Sequence, residues 1–79
     1  MITIKLFASL REKLAKSTIE FTVQQPLTVA ELWSQAVTTT PPDAFDGALF
    51  CAVNHEHVDW QHEVSDGDEV AFFPQITGG

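Results

Sequence analysis

The chain is sparing with reactive and basic residues. It has a single cysteine, Cys51, in 79 residues. No internal disulfide can form, and nothing marks an oxidising compartment. No Lys or Arg occurs after Lys16. Residues 1–16 hold Lys5, Arg11, Lys13 and Lys16 against Glu12, a net of +3, whereas residues 17–79 carry ten acids and a net of −10. That balance keeps a small protein soluble. It also repels nucleic acid and anionic membranes and attracts a partner with a basic docking surface. No apolar run approaches the roughly 18 residues of a membrane-spanning helix. The opening Met1-Ile-Thr-Ile-Lys-Leu-Phe7 lacks the basic segment and small-residue cleavage site of a signal peptide. A cytoplasmic protein is expected, with neither membrane nor nucleic acid as partner. Internal repeats, low-complexity tracts and dividing linkers are missing too, so one domain is expected. So are a Ser-His-Asp set, a phosphate-cradling loop and a dinucleotide fingerprint.

What is present is apolar: 44% of residues, with six Phe and two Trp. That composition excludes disorder. A chain this short buries only about 60–65% of its unfolded surface. Nearly every apolar residue is therefore needed for the core, and a deep catalytic cavity is not expected.

Hydrophobic periodicity orders the elements. Residues 2–8 alternate, with Ile2, Ile4 and Leu6 on one face and Thr3, Lys5 and Phe7 on the other. Ser9-Leu-Arg-Glu12 reads as a capping box opening a short helix, about 9–15. Residues 18–24 alternate again through Ile19, Phe21 and Val23, until Pro26. Thr28-Val-Ala-Glu31 is a second capping box, flanked by Leu27 and Leu32 as a hydrophobic staple. It starts the main helix, about 28–37, with Val29, Leu32, Trp33 and Ala36 on one stripe. A loop over 38–47, with one helical turn near Asp43–Phe45, leads to the apolar run Leu49–Val53, which reads as a central strand buried on both faces. Asn54–Glu56 is a turn, Val58–Trp60 a short strand, Ser65–Asp68 a turn, and Glu69–Phe73 the last strand, stopped by Pro74. This order predicts an α+β fold, a mixed sheet of about five strands with the main helix on one face.

Parity in the last strand sends Val70 and Phe72 to the core and Ala71 and Phe73 outward. With Phe7 also outward, two aromatics lie on the open face of the sheet, a pattern that marks partner interfaces when no loop covers it. His55 and His57 would share a side if their segment were extended, but two histidines in a turn, with His62 apart, fall short of a metal site. Asp66-Gly67-Asp68 lacks the rest of a calcium loop and reads as a turn. Cys51, with no cationic neighbour in sequence, reads as an inert buried thiol. The chain ends in Gly78-Gly79. Terminal glycines are commonly just frayed. They are also slim enough to thread a narrow channel. Residues 75–79 reach up to roughly 17 Å past Pro74, at ~3.3–3.6 Å per residue.

Asp66-Gly-Asp-Glu-Val-Ala-Phe-Phe-Pro74 followed by Gln-Ile-Thr-Gly-Gly79 resembles the C-terminal signature of the small, sulfur-carrier subunits of molybdopterin synthases. Ala52-Val-Asn54 and the opening strand with Phe7 resemble that family as well. The resemblance implies a β-grasp (ubiquitin-like) domain over 1–74 and an extended reactive tail over 75–79. It implies that Gly79 is adenylated by a ubiquitin-activating-enzyme-like adenylyltransferase using ATP and magnesium, and then converted to a thiocarboxylate. It implies no tightly bound cofactor or metal. The tail, with Thr77 and Gly78 as its slim part and Ile76 as its anchor, would enter the large synthase subunit and give sulfur to cyclic pyranopterin monophosphate. Phe7 and Phe73 match partner-interface positions of the family. The hairpin after Asn54, apolar on its partner-facing side in that family, reads His55-Glu56-His57 here. A sulfur carrier for thiamine or tRNA thiolation shares the Gly-Gly end, and a β-grasp interaction module with an inert terminus shares the fold. The Ala-Phe-Phe-Pro plus Thr-Gly-Gly combination favours the molybdopterin branch.

Overall fold

The structure, a computed structural model, describes residues 1–44 and 49–74. Strand β1 (Ile2–Leu6) is followed by helix α1 (Ala8–Leu14) and strand β2 (Thr18–Phe21). A short strand β3 (Leu27–Thr28) runs directly into helix α2 (Val29–Leu32), which continues as a wider π-helical turn over Trp33–Val37. A 3₁₀ turn (Pro42–Ala44) precedes β4 (Leu49–Val53), β5 (Glu56–Val58), β6 (Glu63–Val64) and β7 (Glu69–Pro74). Five strands form one sheet in the order β2-β1-β7-β4-β5, and β3 pairs with β6 in a second, two-stranded sheet. β1 and β7 run parallel at the centre, while the flanking pairs are antiparallel. A parallel pair needs a crossover. Here everything between β1 and β7 serves as that crossover and carries the main helix over one face.

The alternation read from β1 and β7 sets the core. Ile2, Ile4, Leu6, Val70 and Phe72 are at most 2% exposed and meet Val29, Leu32 and Trp33 from the helix. Trp33 lies edge-on to Phe72 (ring centroids 5.0 Å apart) and to Trp60 (5.8 Å), and Trp60 stacks on Phe72 at 5.4 Å. The Trp33 indole N–H donates to the Thr40 carbonyl (2.9 Å), which satisfies the one polar atom of a buried ring and ties down the chain after the helix.

The second capping box forms as read. Thr28 Oγ1 accepts the Glu31 N–H at 3.1 Å and Glu31 Oε1 accepts the Thr28 N–H at 2.8 Å. The first does not. Phe7 is the N-cap residue of α1, with no side-chain cap, and Ser9 lies inside the helix. The cause is the sheet: the Phe7 N–H still donates to the Phe72 carbonyl (3.2 Å), so pairing with β7 keeps the chain extended through Phe7. The turn into the helix is then made at Ala8, at φ 53°, before Ser9 can cap it. β2 ends at Phe21 rather than 24, though Val23 still packs against the core.

Two further expectations need correction. The run Leu49–Val53 is not buried on both faces: Phe50 is 37% exposed. β4 lies inside the sheet but the helix covers only one side of it. The next strand is Glu56–Val58 rather than 58–60. Asn54 and His55 both adopt positive φ (51° and 73°), a two-residue hairpin loop whose twist matches the strands, and it fixes Val53 opposite Glu56. Trp60 thereby leaves the sheet and joins the core cluster. The β3–β6 pair, two residues a side, is too short to show a period in sequence.

Candidate functional site

The open face of the sheet collects aromatic side chains at one end. Phe7 follows β1 and is 46% exposed. The parallel register, with Leu6 beside Phe72, places it next to Phe73 on the neighbouring strand. Phe73 is half-buried and lies opposite Phe50 on β4. Their rings stack with centroids 6.1 Å apart. The hairpin adds His57, whose ring meets Phe73 edge-on at 5.1 Å and lies 6.3 Å from Phe50. Ala52 and Ala71, register partners on the same face, carry only methyl groups beside the rings.

Of these residues, sequence parity identified Phe7 and Phe73. It missed Phe50, because a continuous apolar run conceals which side chain points outward. It also left His57 unplaced. The signals that could have found them are the pairing of β4 with β7 for Phe50 and of β4 with β5 for His57, which sequence alone does not supply.

β7 runs parallel to β1, so its last residue, Pro74, lies at the same end of the sheet as Phe7. The chain leaves the described residues there. Ile76, Thr77, Gly78 and Gly79, the tail positions singled out in the sequence, lie outside the described residues, as does Phe45.

The remaining candidates have structural explanations. Asn54 and the 65–68 turn are locked together. Asn54 Nδ2 donates to Asp68 Oδ1 (3.0 Å), Asn54 Oδ1 accepts the Glu69 N–H (3.0 Å), and Asp68 Oδ2 accepts the Ser65 N–H (2.9 Å). Asp66 pairs with the N-terminal ammonium. Gly67 sits at φ 95°, which its missing side chain permits. His55 does not join His57: its place in the turn brings Nε2 to within 3.2 Å of the Glu69 carboxylate. His62 is exposed, and its carbonyl accepts the Val29 N–H (2.9 Å). Among the described residues, no three His, Cys, Asp or Glu side chains come together in a metal-holding group. A cleft of about 260 Å³ beside β2 is lined by Phe21, Val23, Pro26, Leu27 and Glu31. Its carboxylate is engaged in the capping box.

Cys51 is 1% exposed and its thiol donates to the Val58 carbonyl at 3.3 Å. Burial, reinforced by the negative Asp59, pushes the thiol from 9.0 up to about 11. Because the thiolate is the nucleophile, native Cys51 should resist alkylation at pH 8, whereas the urea-unfolded chain should react readily; thiol labelling followed by mass spectrometry checks this. Linkage gives the sign of the pH dependence. A folded-state pKa above the unfolded one gives a contribution fully present below pH 9.0 and lost as pH rises toward about 11. The urea midpoint should fall over that window in the wild type and fall less in Cys51→Ala.

The fold recurs in known proteins. The ThiS family matches residues 4–79. Over the whole length of both chains, this protein is 39% identical to the molybdopterin synthase sulfur carrier subunit of Escherichia coli K12. A crystal structure of SAMP1 from Haloferax volcanii superposes with a TM-score of 0.70 at 26% identity, covering 99% of this chain and 98% of that one. A second, of the H. volcanii small archaeal modifier protein 1, gives 0.75 at 24% identity, covering 95% and 97%. The mixed sheet with its helix on one face is a β-grasp, and the chain belongs to the ThiS family.

Proposed function

We infer that this chain is the sulfur-carrier subunit of a molybdopterin synthase, with residues 1–74 as the docking domain and 75–79 as the reactive tail. The observation that carries the reading is a juxtaposition. The chain passes into residues 75–79 at the end of the sheet where Phe7, Phe50 and Phe73 form an exposed aromatic face. A partner seated on that face is within reach of the tail, since five residues span up to roughly 17 Å at ~3.3–3.6 Å each. The 39% identity to a sulfur carrier subunit of this kind supports the same assignment.

The chemistry follows from the terminal carboxylate. A carboxylate is a poor electrophile. Attack of the Gly79 carboxylate on the α-phosphorus of ATP, on a magnesium-dependent adenylyltransferase, creates a mixed anhydride with AMP and releases pyrophosphate. A sulfur nucleophile attacks its carbonyl carbon and AMP departs with the carboxylate oxygen it carries. With sulfide as the nucleophile the terminus is a thiocarboxylate, one oxygen replaced by sulfur; a persulfide donor gives an acyl disulfide, whose S–S bond a thiol reductant then cleaves to the same product. The ionised thiocarboxylate is a strong nucleophile, suited to delivering sulfur to cyclic pyranopterin monophosphate held by the large synthase subunit. The small chain then needs no cavity of its own. Its net charge of −7 favours docking on basic partner surfaces. A cytoplasmic setting, where the activating enzyme and ATP are found together, fits the scheme.

The test is intact mass after incubation with the adenylyltransferase, ATP, magnesium and a sulfur source. The expected result is a shift equal to one oxygen-to-sulfur exchange, confined to the fragment containing Gly79. No shift, in an assay where a known carrier is converted, overturns the reading in favour of an interaction module with an inert terminus.

A further inference from the structure

The aromatic face has a polar ring built into it. His57 is exposed and packs against Phe73 and Phe50, with centroids 5.1 and 6.3 Å away. β4 presents Phe50 and Ala52 to it, and β7 presents Ala71 and Phe73, none of which ionises. The titratable groups nearby are directed elsewhere. Glu69, at the start of β7, faces His55 at 3.2 Å. Asp59, after β5, accepts the Gln61 N–H at 2.9 Å. Glu56 alternates to the other side of β5. Lys5 shares the open face but stands on β1, across β7. Among the described residues none of these carboxylates is paired with His57.

A partner that covers Phe50 and Phe73 must also cover His57. As a neutral imidazole, His57 enters the contact as one more flat ring, with a single N–H to satisfy. As an imidazolium it must be stripped of water beside apolar rings with no carboxylate to receive it, which is costly. The partner's charge works in the same direction. The acidic part of this chain, −10 over residues 17–79, selects a basic surface, and a basic rim repels an imidazolium. Attraction between the cation and the Phe faces exists in the free chain as well, so it does not favour the complex.

We propose that the open sheet face docks a partner surface that is apolar at its centre and basic at its rim, and that it does so only with His57 neutral, so that acidification releases the partner. The inference rests on the docking reading given above and adds its regulation. Imidazoles change charge between about pH 5 and pH 8, so docking takes the form of a proton-linked equilibrium. Docking then releases up to one proton per complex, more as the solution is made acidic, and affinity falls by at most about tenfold per pH unit.

The experiment is calorimetric titration of the full chain into the large synthase subunit at pH 7.5, 6.5 and 5.5. Wild type, His57→Leu, His57→Gln and His55→Gln are compared. Wild type and His55→Gln should weaken by about tenfold across the range. Both His57 variants should stay flat relative to them, and should release up to one fewer proton per complex at pH 5.5, with little difference at pH 7.5. Equal weakening in wild type and both His57 variants would assign the pH dependence to the partner and overturn the proposal. Tightening of the wild type on acidification would overturn it in favour of a partner carboxylate opposite His57. Binding that is absent at every pH in all four chains would instead refute the docking reading itself.

Discussion

A chain carrying one extra residue after Gly79 should fold as the wild type does and deliver no sulfur. Extension converts the Gly79 carboxylate into an amide, which cannot be adenylated, and moves the new carboxylate outward by about 3.5 Å. Near-attack chemistry loses on the order of a hundredfold for a misplacement of about 1 Å, so product should fall to background rather than to a reduced rate. Gly79→Ala keeps a terminal carboxylate but puts a methyl group where the tail must be slim, and large loss of transfer is expected there too. Stability is a separate matter. The core is built from Ile2, Ile4, Leu6, Leu10, Leu32, Trp33, Val70 and Phe72, all before residue 75. The urea midpoint of either variant should therefore correspond to a stability within about 0.5 kcal/mol of wild type. The mass-shift assay and the synthase assay read the first effect; urea unfolding followed by tryptophan fluorescence reads the second. Undiminished synthesis by the extended chain would sink the tail mechanism.

The sequence exposes those features of this protein that recur with a period or act over one helical turn. Alternation in residues 2–7 and 69–73 is strict, because both strands are half-covered, and it correctly assigns Val70 and Phe72 inward. Thr28 and Glu31 announce their own cap because every partner lies within three residues. Ser9 and Glu12 have the same spacing and fail, because a tertiary hydrogen bond from Phe7 to Phe72 decides where α1 begins. Long-range pairing is what local reading does not contain. Phe50 is exposed only because β4 lies beside β7 with its outer face uncovered. His57 joins the aromatic face only because the Asn54-His55 turn holds the hairpin to a two-residue loop. The proposal for the tail rests on a different kind of signal. Residues 75–79 lie outside the described residues and are read as a linear string, which needs no fold to be read.

Neighbouring phenylalanines offer the sharpest separation of fold from docking. Phe72 and Phe73 differ by one position and by the face of the sheet they serve. Phe72 is fully buried, edge-on to Trp33 and stacked on Trp60. Phe72→Ala leaves a cavity among these rings and should cost about 3–5 kcal/mol. A domain of this size holds on the order of 4–12 kcal/mol in total, at roughly 0.05–0.15 kcal/mol per residue. The variant is therefore expected to show a much lowered urea midpoint or to be unfolded outright. Among the described residues, the Phe73 ring pairs with Phe50 and His57, on the open face. Phe73→Ala gives up aromatic contacts of about 0.5–1.5 kcal/mol and should keep a cooperative unfolding transition near that of wild type. Its affinity for the large subunit should fall by about 2 kcal/mol or more, as for an aromatic anchor at the centre of an interface. The pair is read by urea denaturation alongside calorimetric binding. If Phe73→Ala unfolds as readily as Phe72→Ala, its ring is part of the core and the docking face is wrongly drawn. If it folds and binds as the wild type does, the partner sits elsewhere, and exposure alone was a poor guide to this face.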